Sequence, residues 1–95
     1  MAFIHIARSK GFSIEDARRV ADKVGPREAI DGLLVEAAGT DSDGLYHVTV
    51  WQSKAHKDRY EAEQLLPVFQ ALGIAPDVAA STQFTEYEAD ELYIR

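Results

Sequence analysis

The sequence predicts an α+β domain in which strands and helices follow in the order β-α-β-β-α-β. Three observations support this order. Ser13 and Ser53 each precede a stretch with apolar residues at helical spacing, which is typical of N-cap positions. Short β-branched and aromatic stretches flank both helical stretches. A five-residue polar turn, residues 40–44, joins two of these stretches closely enough to form a hairpin.

The first half of the chain contains a predicted strand, a helix and a second strand. Residues 2–8 are short, β-branched and aromatic enough for a strand. After Ser13 the apolar residues recur three and four positions apart, which predicts a helix that Gly25 ends. The apolar face of that helix consists of Ile14, Ala17, Val20, Ala21 and Val24. Residues 32–39 are predicted as the second strand.

The second half repeats the pattern of strand, helix and strand. Residues 45–51 form the third predicted strand, and a helix is expected from Ser53 through residue 71. Pro67 lies inside that helix and should kink or restart it, because proline lacks the backbone donor. Residues 78–88, rich in Thr, Phe and Tyr, predict the last strand. The simplest arrangement of these elements is a four-stranded antiparallel sheet with two helices on one face, the ferredoxin-like α+β fold.

Length and composition restrict the classes of protein. Ninety-five residues fit one domain, residues 1–95, with no room for a second core. Sixteen acidic and ten basic residues give a net charge of −6, which disfavours binding to nucleic acid or anionic membranes. The absence of cysteine excludes disulfides and thiolate sites. No leader peptide and no apolar run of transmembrane length are recognised, so a cytoplasmic location is expected.

Alternation along the strands separates two sets of side chains, because neighbouring residues point to opposite faces of a sheet. One set is aliphatic and includes Ile4, Ile6, Val48 and Val50, with Tyr46; we expect it to pack against the helices. The other set mixes polar and aromatic residues: Phe3, His5, His47, Thr49, Trp51 and, from the second strand, Glu36. We expect that second face to form an interface or a binding groove.

The mixed set supplies the candidate functional residues. His47 and His5 are the predicted catalytic residues, because imidazole exchanges protons near neutral pH. Four residues are assigned to substrate binding: Trp51, Phe3, Thr49 and Tyr60. The same histidines are also compatible with a simple interface, in which they bond to backbone or solvent. No metal site or cofactor is predicted, because the spacing of His5, His47 and Glu36 is not specific to metal binding.

The strand ending in Trp51, followed by Ser53 at the start of a helix that ends at Gly73, resembles the dimeric α/β-barrel superfamily. Together with the element order, the resemblance spans almost the whole chain. It is sharpest for the antibiotic-biosynthesis-monooxygenase-like branch and related small bacterial proteins. It implies that two copies pair their sheets into a barrel, with ligand pockets between each sheet and its own helices or inside the barrel.

The resemblance also allows two oxygenase types to be compared residue by residue. Cofactor-free quinone-forming and haem-degrading members use a tryptophan on the third strand, which Trp51 matches. They also use an asparagine on the first strand; this sequence has none, and His5 is the nearest polar residue. The haem-degrading type needs a histidine nine or ten residues after the tryptophan, where Tyr60 and Glu61 stand, while His56 comes only five residues on. Haem degradation is therefore not expected.

Three functions remain compatible with the sequence. The chain could be a cofactor-independent monooxygenase or isomerase acting on a small aromatic or polyketide-like compound. It could instead be a non-catalytic, ligand-binding or stress-responsive homodimer, or a purely structural dimer. The acidic residues Glu86, Glu88, Asp90 and Glu91 are interpreted as a solvated strand edge. The apolar residues within 90–95 are expected to pack on another surface, such as a partner subunit.

Overall fold

The structure is a computed structural model that describes residues 2–74 and 81–95. The strands are β1 (Phe3–Ser9), β2 (Leu33–Asp41), β3 (Gly44–Trp51) and β4 (Thr82–Glu88). The helices are α1 (Ile14–Val24), α2 (Lys54–Tyr60) and α3 (Leu66–Ala71), with a 3-10 turn at Arg27–Ala29 and a π-helical turn at Glu61–Leu65. The predicted order is confirmed, with α2, the π-helical turn and α3 in the place of the second helix. Of the predicted last strand, residues 78–80 lie outside the described residues.

The four strands form one antiparallel sheet in the order β2-β3-β1-β4. The two central strands, β3 and β1, pair from Phe3 with Trp51 to Ser9 with Leu45. The edge strands are β2 and β4, and a bulge between Leu33 and Val35 interrupts the pairing of β2. This order of strands, with the helices between β1 and β2 and between β3 and β4, is the predicted ferredoxin-like fold.

Local hydrogen bonds explain where the helices begin. The Asp16 backbone N–H donates to Ser13 Oγ at 3.0 Å, and the Ser13 N–H donates to the Asp16 carboxylate at 3.2 Å. This reciprocal pair is a capping box, and it satisfies two donors at the start of α1. The His56 N–H donates to Ser53 Oγ at 3.3 Å and caps α2. Both N-caps predicted from the sequence are therefore confirmed.

Pro67 changes the hydrogen bonding of the second helical segment without ending it. The π-helical turn precedes Pro67, which lies in the first turn of α3, where a missing donor is tolerated. The helical segment then ends at Leu72 and Gly73, and Gly73 has a positive φ of 69°. None of the helices in residues 2–74 and 81–95 is long and apolar enough to cross a membrane.

The helices cover the mixed set of side chains. Phe3 and Trp51 are buried with Ile30 in the hydrophobic core, against which Val24, Leu33 and Tyr60 pack. From α2, Tyr60 stacks on Trp51 with ring centroids 5.2 Å apart. The expectation that the aliphatic set faces the helices is therefore wrong. Both sets alternate equally well, and α2 supplies an aromatic and a cationic side chain that match the mixed set better than the aliphatic one.

We call the covered side of the sheet the helix-facing side, and the opposite side the open face. The open face carries the aliphatic set: Ile4, Ile6, Tyr46, Val48, Val50 and, from β2 by its register, Val35 and Ala37. Val50 is buried, and most of the others are only partly buried. No helix lies over this face in the described residues, so it presents β-branched side chains at the surface.

Candidate functional site

A row of four polar residues crosses the whole sheet on its helix-facing side. Glu36 of β2 is paired with Thr49 of β3, Thr49 with His5 of β1, and His5 with Glu86 of β4. Paired residues in antiparallel strands project to the same face. Their side chains therefore form a line with a carboxylate at each end.

His5 is held at the β4 end of this row. Its Nδ1 lies 2.8 Å from Glu86 Oε2, within hydrogen-bond distance. The Phe84 ring packs beside the imidazole, with ring centroids 5.3 Å apart. The His5 side chain retains only 10% exposure. A buried imidazole with one nitrogen bonded to a carboxylate has a defined orientation.

Lys57 connects α2 to this histidine through Glu86. Its Nζ donates to Glu86 Oε2 at 2.8 Å, and it also pairs with Glu61 at 2.8 Å and with Asp58 at 3.3 Å. Desolvation lowers the pKa of Lys57, but the hydrogen bonds to Glu61 and Glu86 outweigh it and raise the pKa above its ordinary value. The ammonium group is therefore charged, and each of its three hydrogens has a carboxylate partner.

Glu86 is an anion within this network. The hydrogen bond from Lys57 holds the pKa of Glu86 below its ordinary value; burial opposes this effect, and the contact with His5 reinforces it. Glu86 does lie on an edge strand and is partly exposed, as the sequence indicated, but its carboxylate also contacts Lys57 and His5. Alternation could have placed Glu86 on the same face as His5, but only the strand register brings their side chains together.

His47 has a corresponding arrangement at the β2 end of the sheet. Its Nε2 lies 3.3 Å from Glu36 Oε2, an ion-pair distance. Arg27, from the 3-10 turn, donates through Nε to Glu36 Oε1 at 2.5 Å. Each histidine thus faces a carboxylate from an edge strand, and each carboxylate is held by a cation from a helical element. The His47 side chain is 37% exposed, so this arrangement is accessible where that of His5 is not.

Trp51, Thr49 and Tyr60 lie on the same side of the sheet as the two histidines. Trp51 Nε1 donates to Thr49 Oγ1 at 2.8 Å, and both residues are buried. Burial and the nearby Glu36 carboxylate raise the pKa of Tyr60 to about 12. Tyr60 is therefore a neutral hydroxyl over the physiological pH range.

The structure brings all the residues predicted for the site to the helix-facing side. His5 and His47 are diagonal neighbours on β1 and β3, positions whose Cα atoms lie roughly 7–8 Å apart in antiparallel sheets. Trp51 is 2% exposed and belongs to the core with Phe3, so it offers a ligand almost no surface in the chain by itself. His47 and Tyr60 are the more accessible members of the predicted set.

A pocket adjoins the His47 end of the site. Its volume is about 320 Å³, and it is lined by Arg27, Glu28, Leu33, Leu34, Val35 and Glu36. Apolar side chains thus stand next to the Arg27–Glu36 pair in a depression that is open to solvent. Residues 2–74 and 81–95 contain no group of three or more His, Asp or Glu side chains arranged to hold a metal ion.

Sequence comparison finds no relative with an assigned function. No protein-family model matches the chain, and no curated protein matches it.

Solved structures with the same fold cover nearly the whole chain. A candidate antibiotic biosynthesis monooxygenase from Chloroflexus aurantiacus aligns with a TM-score of 0.68 and 11% identity, covering 98% of this chain and 97% of that one. A second candidate antibiotic biosynthesis monooxygenase, from Deinococcus radiodurans, has a TM-score of 0.63 and 20% identity and covers 100% and 98% of the two chains. SnoaB, a cofactor-independent oxygenase from Streptomyces nogalater, has a TM-score of 0.59 and 15% identity and covers 96% and 93%. The structural neighbours thus belong to the branch that the sequence resembles, and at these identities the likeness establishes the fold.

Proposed function

We propose that this chain is a cofactor-independent monooxygenase that acts on a small, hydroxylated aromatic compound bound beside His47 on the helix-facing side. The observation that carries the proposal is the accessible His47, 3.3 Å from a carboxylate that Arg27 holds in place. The similarity in fold to SnoaB, described as a cofactor-independent oxygenase, supports the same reaction class.

His47 would act as a general base on the substrate. With Nε2 turned to Glu36, Nδ1 is the nitrogen that is free to take a proton from an activated ring carbon or hydroxyl. Glu36 would lie against the imidazolium cation that forms, with its Oε2 3.3 Å from Nε2. Because Arg27 also contacts Glu36, the carboxylate stays in position during the transfer.

The proton transfer leads directly to oxygenation. An aromatic compound that loses a proton from an activated CH₂ group becomes an electron-rich anion, which passes electrons to O₂ and forms a C–O bond. The resulting peroxide anion takes the proton back from the His47 imidazolium. Loss of water from the hydroperoxide then leaves a carbonyl group, so that one O₂ is consumed and one water is released.

The open face would be covered by a second copy of the chain. Its aliphatic side chains have no partner layer in the described residues, and β-sheets bury such faces against another sheet. The accessible surface of the chain is 6260 Å², against about 5,400 Å² for a compact monomer of this mass. Leu92, Tyr93 and Ile94 are also exposed and would pack at or near this interface.

Anthrone, which carries an activated CH₂ group between two aromatic rings, is a suitable first substrate probe. We expect O₂ uptake with formation of anthraquinone, reduced by a factor of about 100 or more in His47→Gln. His56→Gln is the matched control, because the His56 ring bonds to Ser53 at the start of α2 and takes no part in the site. Equal O₂ uptake by His47→Gln and the unmodified chain would remove His47 from the mechanism.

Two further outcomes separate this function from its alternatives. Anthrone bound without O₂ uptake would favour a non-catalytic, ligand-binding dimer. Exchange of the CH₂ hydrogens with deuterium from the solvent, again without O₂ uptake, would favour an isomerase that uses the same base.

A further inference from the structure

We propose that Lys57 and Glu86 are positioning residues, which hold His5 with its proton on Nδ1 and leave Nε2 as the nitrogen that accepts a proton or a hydrogen bond at the site. This role of His5 rests on the proposed function, in which His5 is the second histidine of the site. The sequence did not indicate Lys57 or Glu86 as part of the site.

The hydrogen bond between His5 and Glu86 has a definite direction. Glu86 is held as a carboxylate, and a carboxylate only accepts hydrogen bonds. At 2.8 Å from Glu86 Oε2, His5 Nδ1 must therefore be the donor and carry the proton. In a neutral imidazole the other nitrogen, Nε2, is then an acceptor. Within the described residues Nε2 has no hydrogen-bond partner. It is also absent from the fully buried polar atoms without a partner, so it retains some exposure.

The Glu86 carboxylate is also held in one position. Glu86 lies on an edge strand and its side chain is 32% exposed, so by itself it would sample several rotamers. Lys57 prevents this, because its Nζ donates to the same Oε2 atom that His5 contacts.

The Lys57 ammonium group is in turn held by several contacts. Glu61 and Asp58 hold the other two ammonium hydrogens, and the Phe3 ring lies against the ammonium group at 5.8 Å. The Lys57 side chain is only 8% exposed, so water does not compete effectively for these contacts. The orientation of His5 therefore depends on α2 as well as on the neighbouring strand.

The two histidines consequently differ in what holds them. His47 lies at an ion-pair distance from Glu36 and is accessible. His5 is buried, hydrogen-bonded at Nδ1 and packed against Phe84. This difference suits the accessible His47 to proton transfer and the buried His5 to the role of a hydrogen-bond acceptor with a fixed orientation.

The test is NMR of the imidazole nitrogens in protein labelled with ¹⁵N histidine, which reports directly which ring nitrogen carries the proton. We expect His5 in the unmodified chain to show a protonated Nδ1 and an unprotonated Nε2 at a pH where the ring is neutral. Glu86→Ala should shift the His5 signals towards the tautomer protonated at Nε2, which the histidine side chain prefers in water. Lys57→Met should shift them in the same direction by a smaller amount.

Glu88→Ala is the matched control, since Glu88 lies two residues along the same strand and makes no ion pair within the described residues. Its His5 signals should match those of the unmodified chain. Should Glu86→Ala fail to fold, Glu86→Gln replaces it: the amide keeps an acceptor but loses the charge that orders Lys57, so a mixture of tautomers is expected. A His5 that is protonated at Nε2 in the unmodified chain, or that is unchanged in the Glu86 variants, would overturn the proposal.

The tautomer measurement and the activity assay fail independently. If anthrone is not oxidised but the tautomer of His5 depends on Glu86, the proposed reaction is wrong and the positioning of His5 holds. If anthrone is oxidised with no such dependence, the reaction holds and the role of Lys57 and Glu86 is wrong.

Discussion

The two sides of the sheet differ in chemistry although every strand contributes alternate residues to both. The helix-facing side combines a small aromatic core, around Trp51 and Phe3, with a row of charged and polar groups that pair across all four strands. The open face carries β-branched side chains, such as Ile6 and Val48, and within the described residues no row of charged side chains pairs across it. A helix layer suits the mixed surface, because helices bring their own cations and hydroxyls. The open face is largely apolar at its centre, with Thr85 and Tyr87 of β4 beside the aliphatic side chains, and such a surface suits a second sheet.

The largest expected effect comes from the core on the helix-facing side. Trp51→Ala removes the side chain on which Tyr60 packs and leaves a buried cavity. Substitutions of this kind cost about 3–5 kcal/mol of unfolding free energy. Urea unfolding, with Val48→Ala on the open face of the same strand as control, measures the contrast. We expect about 1–2 kcal/mol for the control, because Val48→Ala removes only two methyl groups, and equal losses would contradict the distinction between the two sides.

The next effect concerns association through the open face. Ile6→Lys places a charge in the middle of the aliphatic set, where a second copy would have to bury it. We expect the dimer to dissociate while the far-ultraviolet circular dichroism of the chain stays the same. Analytical ultracentrifugation measures the mass, and Ser42→Lys in the exposed β2–β3 turn makes the same change of charge as a control. A monomer in the unmodified chain would refute the proposed dimer.

The smallest expected effect is a pH dependence that belongs to the helix-facing side alone. The pKa of Tyr60 is raised to about 12 by burial and by the nearby Glu36 carboxylate. Because the folded-state pKa lies above the unfolded value, the stabilisation is complete below pH 10 and is lost as the pH rises through 12. Tyr60→Phe should therefore lose less stability than the unmodified chain between these two pH values.

Thermal unfolding at a series of alkaline pH values measures this difference. Tyr93→Phe is the control because the Tyr93 side chain is exposed, and it should follow the unmodified chain. Identical alkaline profiles for Tyr60→Phe and Tyr93→Phe would mean that Tyr60 ionises as freely in the folded chain as in the unfolded one.

Only part of the candidate site can be predicted from the sequence. His5, His47 and Thr49 were placed together because alternation assigns them to one set, and the structure has them on one side of the sheet. Glu86 was missed as their partner, since nothing local distinguishes it from Glu88 two positions later. The strand register pairs Glu86 with His5, and register depends on contacts between residues 81 positions apart.

Lys57 illustrates the same limit for helices. Its spacing from Glu61 indicates an ion pair along one turn, which the sequence contains. The same ammonium group also contacts Glu86, because α2 packs over β1 and β4. The local sequence gives no sign of this contact. A buried lysine with three carboxylate partners is therefore a product of packing.

The order of elements, the two serine caps and the division of each strand into two sets of side chains can all be predicted from the sequence alone. These depend on local hydrogen bonds and on the period of the backbone, which residues close in sequence define. Which of the two sets the helices cover depends on the packing of the whole chain. Both sets alternate with the same period, and the choice between them follows from the direction of the helical crossovers and the register of distant strands.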